Sequence, residues 1–292
     1  MLASPVTPTL RTLLASTTTT LAALGADARR EAEALVFAAL AIPRSRAITD
    51  PDWLVPEALA LRVHEWARRR AAGEPFAYLS GEREFWSRSF EVNSSVLVPR
   101  PETELLAERA LRAGESFGAG PVRAVDLGTG SGAIAVTIAL ERPTWHVHAV
   151  ERSADALNVA RHNAARLGAT RVVFHAGSWF APLSEQRFEL IVSNPPYVAA
   201  DDPVLHADGL RHEPSAALTP GTDAFADLQH ILEQAPLHLT AGGVLLLEHG
   251  NTQAAELRSR LVARGFAHVV SHRDLAGHER VTEGRWLPAP SH

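Results

Sequence analysis

The 292-residue chain contains no cysteine and no lysine. The first absence removes disulfides, thiolate nucleophiles and cysteine-ligated zinc or iron–sulfur centres. The second leaves arginine as the only basic side chain besides protonated histidine, a composition bias without functional content. No apolar run approaches the ~20 residues of a membrane helix, so no membrane span is expected. The 14 histidines show no His-Glu-x-x-His or other ligand spacing, and no metal is expected. A net charge of −5 argues against a broad nucleic-acid footprint, which needs a basic face. What remains is a soluble globular composition, 46% apolar and 21% charged, long enough for a main domain and a smaller one.

Residues 1 to about 80 read as helical. Leu10, Leu13, Leu14, Leu21 and Leu24 form one apolar stripe, so the Ser/Thr-rich start reads as a first helix and not a targeting peptide. The cytoplasm is then the expected compartment. Helices are expected over 26–42, stopped by Pro43, and over 56–72, with Pro56 in its first turn. The second ends in Arg68-Arg69-Arg70. That run is either a solvated helix end favoured by the dipole or a contact for an acidic or RNA partner. From Gly81 the periodicity changes. Residues 84–86 and 90–92 read as a hairpin, placing a linker over 81–100 and the second domain over 101–292. There strands and helices alternate, which implies a mainly parallel sheet covered on both faces. Strands are expected at 122–127, 146–151, 171–175, 187–193, 243–249, 266–271 and 280–286. Helices are expected at 133–141, 154–166, 224–239 and 251–264, and a further one from about 102 to Ala113. The tail after Leu287 is expected to fray.

Two strand ends carry the chemistry. Phe188 to Ser193 reads as a buried strand that stops at Asn194-Pro195-Pro196-Tyr197. Two prolines fix φ and supply no N–H donors, so the chain leaves the sheet rigidly. An amide side chain beside prolyl carbonyls offers acceptors for a planar –NH2 group. Upstream, Val122 to Leu127 reads as a strand, followed by Gly128-Thr129-Gly130-Ser131-Gly132 and a helix. Strand, glycine turn and helix form a nucleotide-binding arrangement. The next strand ends on Glu151, whose carboxylate can accept both hydrogens of a ribose diol. The glycine turn alone fits NAD, FAD or S-adenosylmethionine, or a tight turn with no ligand.

The glycine turn, Glu151, Ser178-Trp179-Phe180 and Asn194–Tyr197 together resemble a class I S-adenosylmethionine-dependent methyltransferase. Gly81 to Trp86 and Val98-Pro99-Arg100-Pro101-Glu102-Thr103-Glu104 narrow the resemblance to the release-factor glutamine methyltransferases, the PrmC/HemK family. It runs on through Arg211-His212-Glu213-Pro214, Leu246 to Gly250 and Glu279-Arg280-Val281, over essentially the whole chain. It implies a Rossmann-like domain with a mainly parallel seven-stranded sheet and a small all-helical N-terminal domain. It also implies S-adenosyl-L-methionine as cofactor, S-adenosyl-L-homocysteine as product, and the Gly-Gly-Gln loop of release factors as substrate. The expected state is a monomer. Two positions depart from the family: Glu151, where Asp is usual, and Gly177, where a polar residue is common.

A glutamine nitrogen is a poor nucleophile, because its lone pair is delocalised into the carbonyl. Acceptors aimed at its two N–H bonds can orient it. The Asn194 side-chain oxygen and the Pro195 carbonyl are the expected pair, with Pro196 beside them and Tyr197 packed on the flat amide. Gly128, Thr129, Gly130, Ser131, Gly132, Glu151, Trp179 and Asn194 are expected at the cofactor, Trp179 near the adenine or as rim packing. Arg100, Glu102 and Thr103 either line the entrance or, for Glu102 and Thr103, cap a helix. Asn-Pro-Pro-Tyr would also serve an adenine-N6 or other nucleic-acid amino-methyltransferase. Such an enzyme must flip a base, which favours a basic cleft and a DNA-reading domain. A module that only binds cofactor or partner is the remaining reading.

Overall fold

The computed structural model describes residues 7–118, 120–207 and 209–288. The frayed tail expected after Leu287 falls mostly on residues 289–292, outside that set. The chain divides into two compact units. The first is Met1–Gly81 together with Ala207–His212, and the second is Glu82–His206 with Glu213–His292.

The first unit is helical: α1 (Leu10–Thr20), α2 (Ala28–Leu40), α3 (Arg46–Thr49), α4 (Glu57–Ala71) and α5 (Phe76–Ser80). Thr9 caps α1 by accepting the Thr12 N–H. The expected first helix ends at Thr20, and a 3-10 segment over Ala22–Asp27 follows, kinked at Gly25 where φ is 61°. Of the apolar stripe, Leu10, Leu13 and Leu21 are fully buried with Leu35, Val36 and Val63, while Leu14 and Leu24 pack at the margin. The arginine run ending α4 is neutralised within the unit. Arg68 pairs with Glu65 at 2.8 Å, Arg69 with Glu74 at 2.5 Å and Arg70 with Glu31 at 3.0 Å.

The second unit opens with a hairpin, β1 (Glu82–Phe85) and β2 (Arg88–Glu91). The sequence suggested a linker here. The hairpin is instead pinned into a core, because Phe85 and Phe90 are both fully buried. Then follow α6 (Thr103–Glu115), β3 (Arg123–Leu127), α7 (Ala133–Glu141), β4 (His146–Glu151), α8 (Ala154–Leu167), β5 (Val173–Ala176) and β6 (Phe188–Ser193). The chain closes with α9 (Ser215–Leu218), α10 (Ala226–His238), β7 (Leu239–Glu248), α11 (Ala254–Arg264), β8 (Phe266–Arg273) and β9 (Glu279–Trp286).

Seven strands form one sheet in the order β5-β4-β3-β6-β7-β9-β8. The first five are parallel and β9 runs antiparallel to both its neighbours. Alternate residues feed two cores, as period-2 geometry requires. Ala124, Leu190, Val192, Val244 and Leu246 pack under α6 and α7 with the hairpin phenylalanines. Val125, Leu127, Ile191, Leu245 and Leu247 pack under α10 and α11. Burial on both faces explains why these strands read as continuous apolar runs. α7 is buried along most of its length, consistent with its lack of a polar face. Among the described residues no helix is long and apolar enough to cross a membrane, and no group of three or more His, Asp or Glu is placed to hold a metal ion.

Candidate active site

The order of strands reverses at β3: β4 and β5 lie on one side, β6 and β7 on the other. Ligands of open α/β sheets bind beyond the carboxyl ends at such a point. The β3–β6 register pairs Leu127 with Ser193, so the residues that follow, Gly128 and Asn194, leave the sheet side by side. The Ser193 hydroxyl donates to the Leu127 carbonyl at 2.7 Å and fastens the two ends.

A cleft with a cavity volume of about 170 Å³ opens there. Gly128, Gly130, Glu151, Trp179, Asn194 and Pro196 line it. The other residues expected at the cofactor do something else. Thr129 turns inward and donates to Asp126 Oδ2 at 2.6 Å. The Ser131 carbonyl accepts from Asn163 Nδ2 at 2.9 Å. Gly132, at φ of 84°, starts α7 so close to α8 that a Cβ would stand 3.2 Å from that of Ala160. These three build the turn that Gly128 and Gly130 present to the cleft.

Glu151 accepts the Gly130 N–H on Oε2 at 3.0 Å and the Ser153 N–H on Oε1 at 2.9 Å. Each oxygen keeps a second lone pair for a ligand. Trp179 sits at φ of 49° with its ring 3.4 Å from the Cβ position of Gly128. Gly177 accounts for its own departure from the family pattern. At φ of 153° its Cβ position lies 3.0 Å from the Pro182 ring, which fills the space.

Asn194 Nδ2 donates to the Thr103 hydroxyl at 3.3 Å. Thr103 is 5% exposed. Pro195 is buried beside it, and Tyr197 packs against the core under α10 and α11. Burial drives the Tyr197 phenol well above its ordinary range, so it stays protonated. Arg100 and Glu102 do not line the cleft: Glu102 is exposed, and Arg100 is ion-paired with Glu213. Glu213 also accepts the Val98 N–H at 2.9 Å, which ties the segment before α9 to the loop before α6.

Three residues at the site carry roles that their types and spacing did not signal. Asp126 lies under the glycine turn, where burial pushes its carboxyl up to about 7. Glu213 holds the neighbouring loop. Glu248, at the end of β7, is 2% exposed, and burial pushes its carboxyl up to about 7. Acidic residues inside apolar strands are a usable signal, since buried charge is costly without a purpose.

The cleft fits S-adenosylmethionine. Two glycines let backbone approach a ligand, with open space at the Gly130 Cβ position. The acidic strand end Glu151 and the aromatic ring of Trp179 both line the cleft.

The chain matches the methyltransferase domain model over residues 121–283 and the PrmC N-terminal domain model over residues 12–81. It is 46% identical over 260 residues to a release factor glutamine methyltransferase of Pseudomonas aeruginosa, covering 89% of this chain and 93% of that one. It is 48% identical over 235 residues to one from Neisseria gonorrhoeae, covering 80% and 84%. A solved 16S rRNA N2 G1207 methyltransferase of T. thermophilus in complex with AdoMet and guanosine shares the fold, with a TM-score of 0.51 and 18% identity over 70% of this chain and 49% of that one. The chain therefore belongs to the family of release factor glutamine methyltransferases, S-adenosylmethionine-dependent enzymes on a class I methyltransferase fold.

Proposed function

We propose that the protein methylates the side-chain amide nitrogen of the glutamine in the Gly-Gly-Gln motif of peptide chain release factors, acting in the cytoplasm as a monomer. The observation that carries this reading is the pairing of Asn194 with the glycine turn. Asn194 and Pro196 line the same cleft as Gly128 and Gly130.

Glu151 would hold the ribose hydroxyls with its remaining lone pairs, and Trp179 would flank the adenine. Gly128 and Gly130 would let backbone approach the donor closely. S-adenosylmethionine supplies a methyl on a sulfonium whose departure needs no acid. Asn194 Oδ1 and the Pro195 carbonyl would accept the two N–H bonds of the substrate amide and aim its nitrogen. The Tyr197 ring would pack on the flat amide and, with Pro196, exclude water. Well-oriented reactants ~3–3.5 Å apart lower a barrier by ~7–11 kcal/mol, so alignment supplies most of what is needed. No strong base is required, because the methylated nitrogen becomes acidic enough to release its proton to water.

The first unit would help to hold the release factor. A glutamine in a flexible loop offers little area, whereas a stable complex buries ~1,200–2,000 Å². Ile48, Leu54 and Leu61 are exposed apolar side chains of that unit. The nucleic-acid alternative lacks a free basic run in the first unit, since Arg68, Arg69 and Arg70 are each paired with a glutamate.

Mass spectrometry of a purified release factor, after incubation with enzyme and cofactor, tests the reading. A single methyl on the Gly-Gly-Gln glutamine is expected. An unmodified factor beside a methylated oligonucleotide would overturn it.

A further inference from the structure

Part of the cofactor cleft is walled by segments that belong to no strand. Ser95, Val96 and Leu97 come from the loop between β2 and α6, and Pro214, Ala216 and Ala217 from the start and body of α9. Local bonds shape the first. The Asn93 side-chain oxygen accepts the Ser95 N–H at 2.9 Å, and the Asn93 carbonyl accepts the Val96 N–H at 3.1 Å. The second is anchored at its far end, where the Leu218 carbonyl accepts the Val198 N–H at 3.1 Å, just past Asn-Pro-Pro-Tyr.

Glu213 joins the two segments. Its side chain is 1% exposed. Oε2 accepts the Val98 N–H at 2.9 Å, and Oε1 accepts from Arg100 Nη2. Burying a carboxylate is costly unless it is paired and hydrogen-bonded, and both oxygens are engaged here. Apolar residues of similar volume often hold two segments as well as an ion pair does. What the carboxylate adds is direction, because two donors close together on one segment fix where the other begins. Arg152 makes a further tie. It follows Glu151, lines the cleft, and donates from Nη2 to the Ala216 carbonyl at 2.8 Å.

We propose that Glu213 is a positioning residue for the cofactor: by clasping the α9 segment to the loop before α6, it keeps this wall closed against S-adenosylmethionine and sets how fast the cofactor and its product, S-adenosyl-L-homocysteine, leave. The ties named here are polar contacts outside the sheet, so the wall opens without unzipping a strand. α9 spans four residues, too few to persist by itself once released. Neither Glu213 nor Arg100 lines the cleft, so whatever either does to the cofactor passes through the wall.

The full-length E213A, E213Q and R100M proteins test this without release factor, so the outcome is independent of the substrate reading. Labelled S-adenosylmethionine or S-adenosyl-L-homocysteine is bound, chased with unlabelled ligand, and its release timed. Thermal melting and hydrogen exchange at the Val98 N–H are measured alongside. E213A should release both ligands roughly 10–100-fold faster, the scale of a lost hydrogen bond to a charged group. R100M and E213Q each keep an acceptor for Val98 and lose the ion pair. They should release faster than wild type but more slowly than E213A. Exchange at Val98 should quicken in E213A and stay slow in E213Q. G114A, altered in α6 at a residue that does not line the cleft, controls for general loss of stability and should release at the wild-type rate. Wild-type release from a folded E213A would overturn the proposal, as would equal acceleration in G114A for the same loss of melting temperature. Should E213A not fold, R100M and E213Q decide, and wild-type release from both overturns it.

Discussion

Glu151 grips the glycine turn it faces: its Oε2 accepts the Gly130 N–H at 3.0 Å. One carboxylate thus shapes the backbone cradle and offers lone pairs to what enters it. Glu151→Ala should weaken S-adenosylmethionine by roughly 1–3 kcal/mol, the scale of unmade polar contacts. Calorimetry measures this directly. Equal affinity in mutant and wild type would remove Glu151 from the cofactor site.

Asn194→Ala should abolish most turnover while sparing the fold. The side chain is only partly buried, and its one recorded hydrogen bond is to Thr103. Loss of a preorganised group at the reacting atoms costs about 100-fold or more in kcat. Melting temperature and turnover should be recorded on the same preparation. Substantial turnover at an unchanged melting temperature would end the proposed role.

Asp126 makes stability depend on pH. Its ordinary value is 3.8, and burial raises it to about 7 in the folded protein. A raised carboxyl stabilises the fold below its unfolded value, and that contribution is lost as pH climbs through the folded value. Asp126→Asn keeps an oxygen for Thr129 and cannot ionise. Relative to wild type it should gain stability steadily from about pH 4 to about pH 7. Denaturant titrations at several pH values check this, and a constant difference across the window would contradict it.

Gly114 lies in α6 against Trp145. A Cβ there would sit 1.9 Å from the indole ring, which is 6% exposed and has little room to move. Gly114→Ala should therefore destabilise the protein by about 1–3 kcal/mol despite its better helix propensity. A denaturation midpoint at or above that of the wild type would show that the ring repacks freely.

Ile48→Ser and Leu61→Ser probe the first unit. Both side chains are exposed, at 85% and 61%, so the fold should tolerate the change. If this unit holds the release factor, kcat/KM should fall for the intact factor and stay constant for a short Gly-Gly-Gln peptide. A parallel fall for both substrates would speak for a structural effect.

The central strands were legible because burial on both faces demands unbroken apolar runs, as in Phe188 to Ser193. β7 was misread at its start. A strand was expected from residue 243, yet it begins at Leu239, which pairs with Phe188. A neighbouring strand decided that boundary. The hairpin at 82–91 was legible as a hairpin but not as core. Nothing local says that Phe85 and Phe90 will be covered.

At the site, the sequence by itself determined the glycine turn that lines the cleft, the acidic strand end and the rigid Asn-Pro-Pro-Tyr exit. Each is a local requirement, for backbone room, for acceptors or for fixed φ, and local requirements are written in adjacent residues. Tertiary structure alone decided that Thr103 meets Asn194 across 91 positions and that Glu213 meets Val98 across 115. Such contacts depend on strand order and register, which bring distant strand ends to one edge of the sheet, and no residue type announces its partner there.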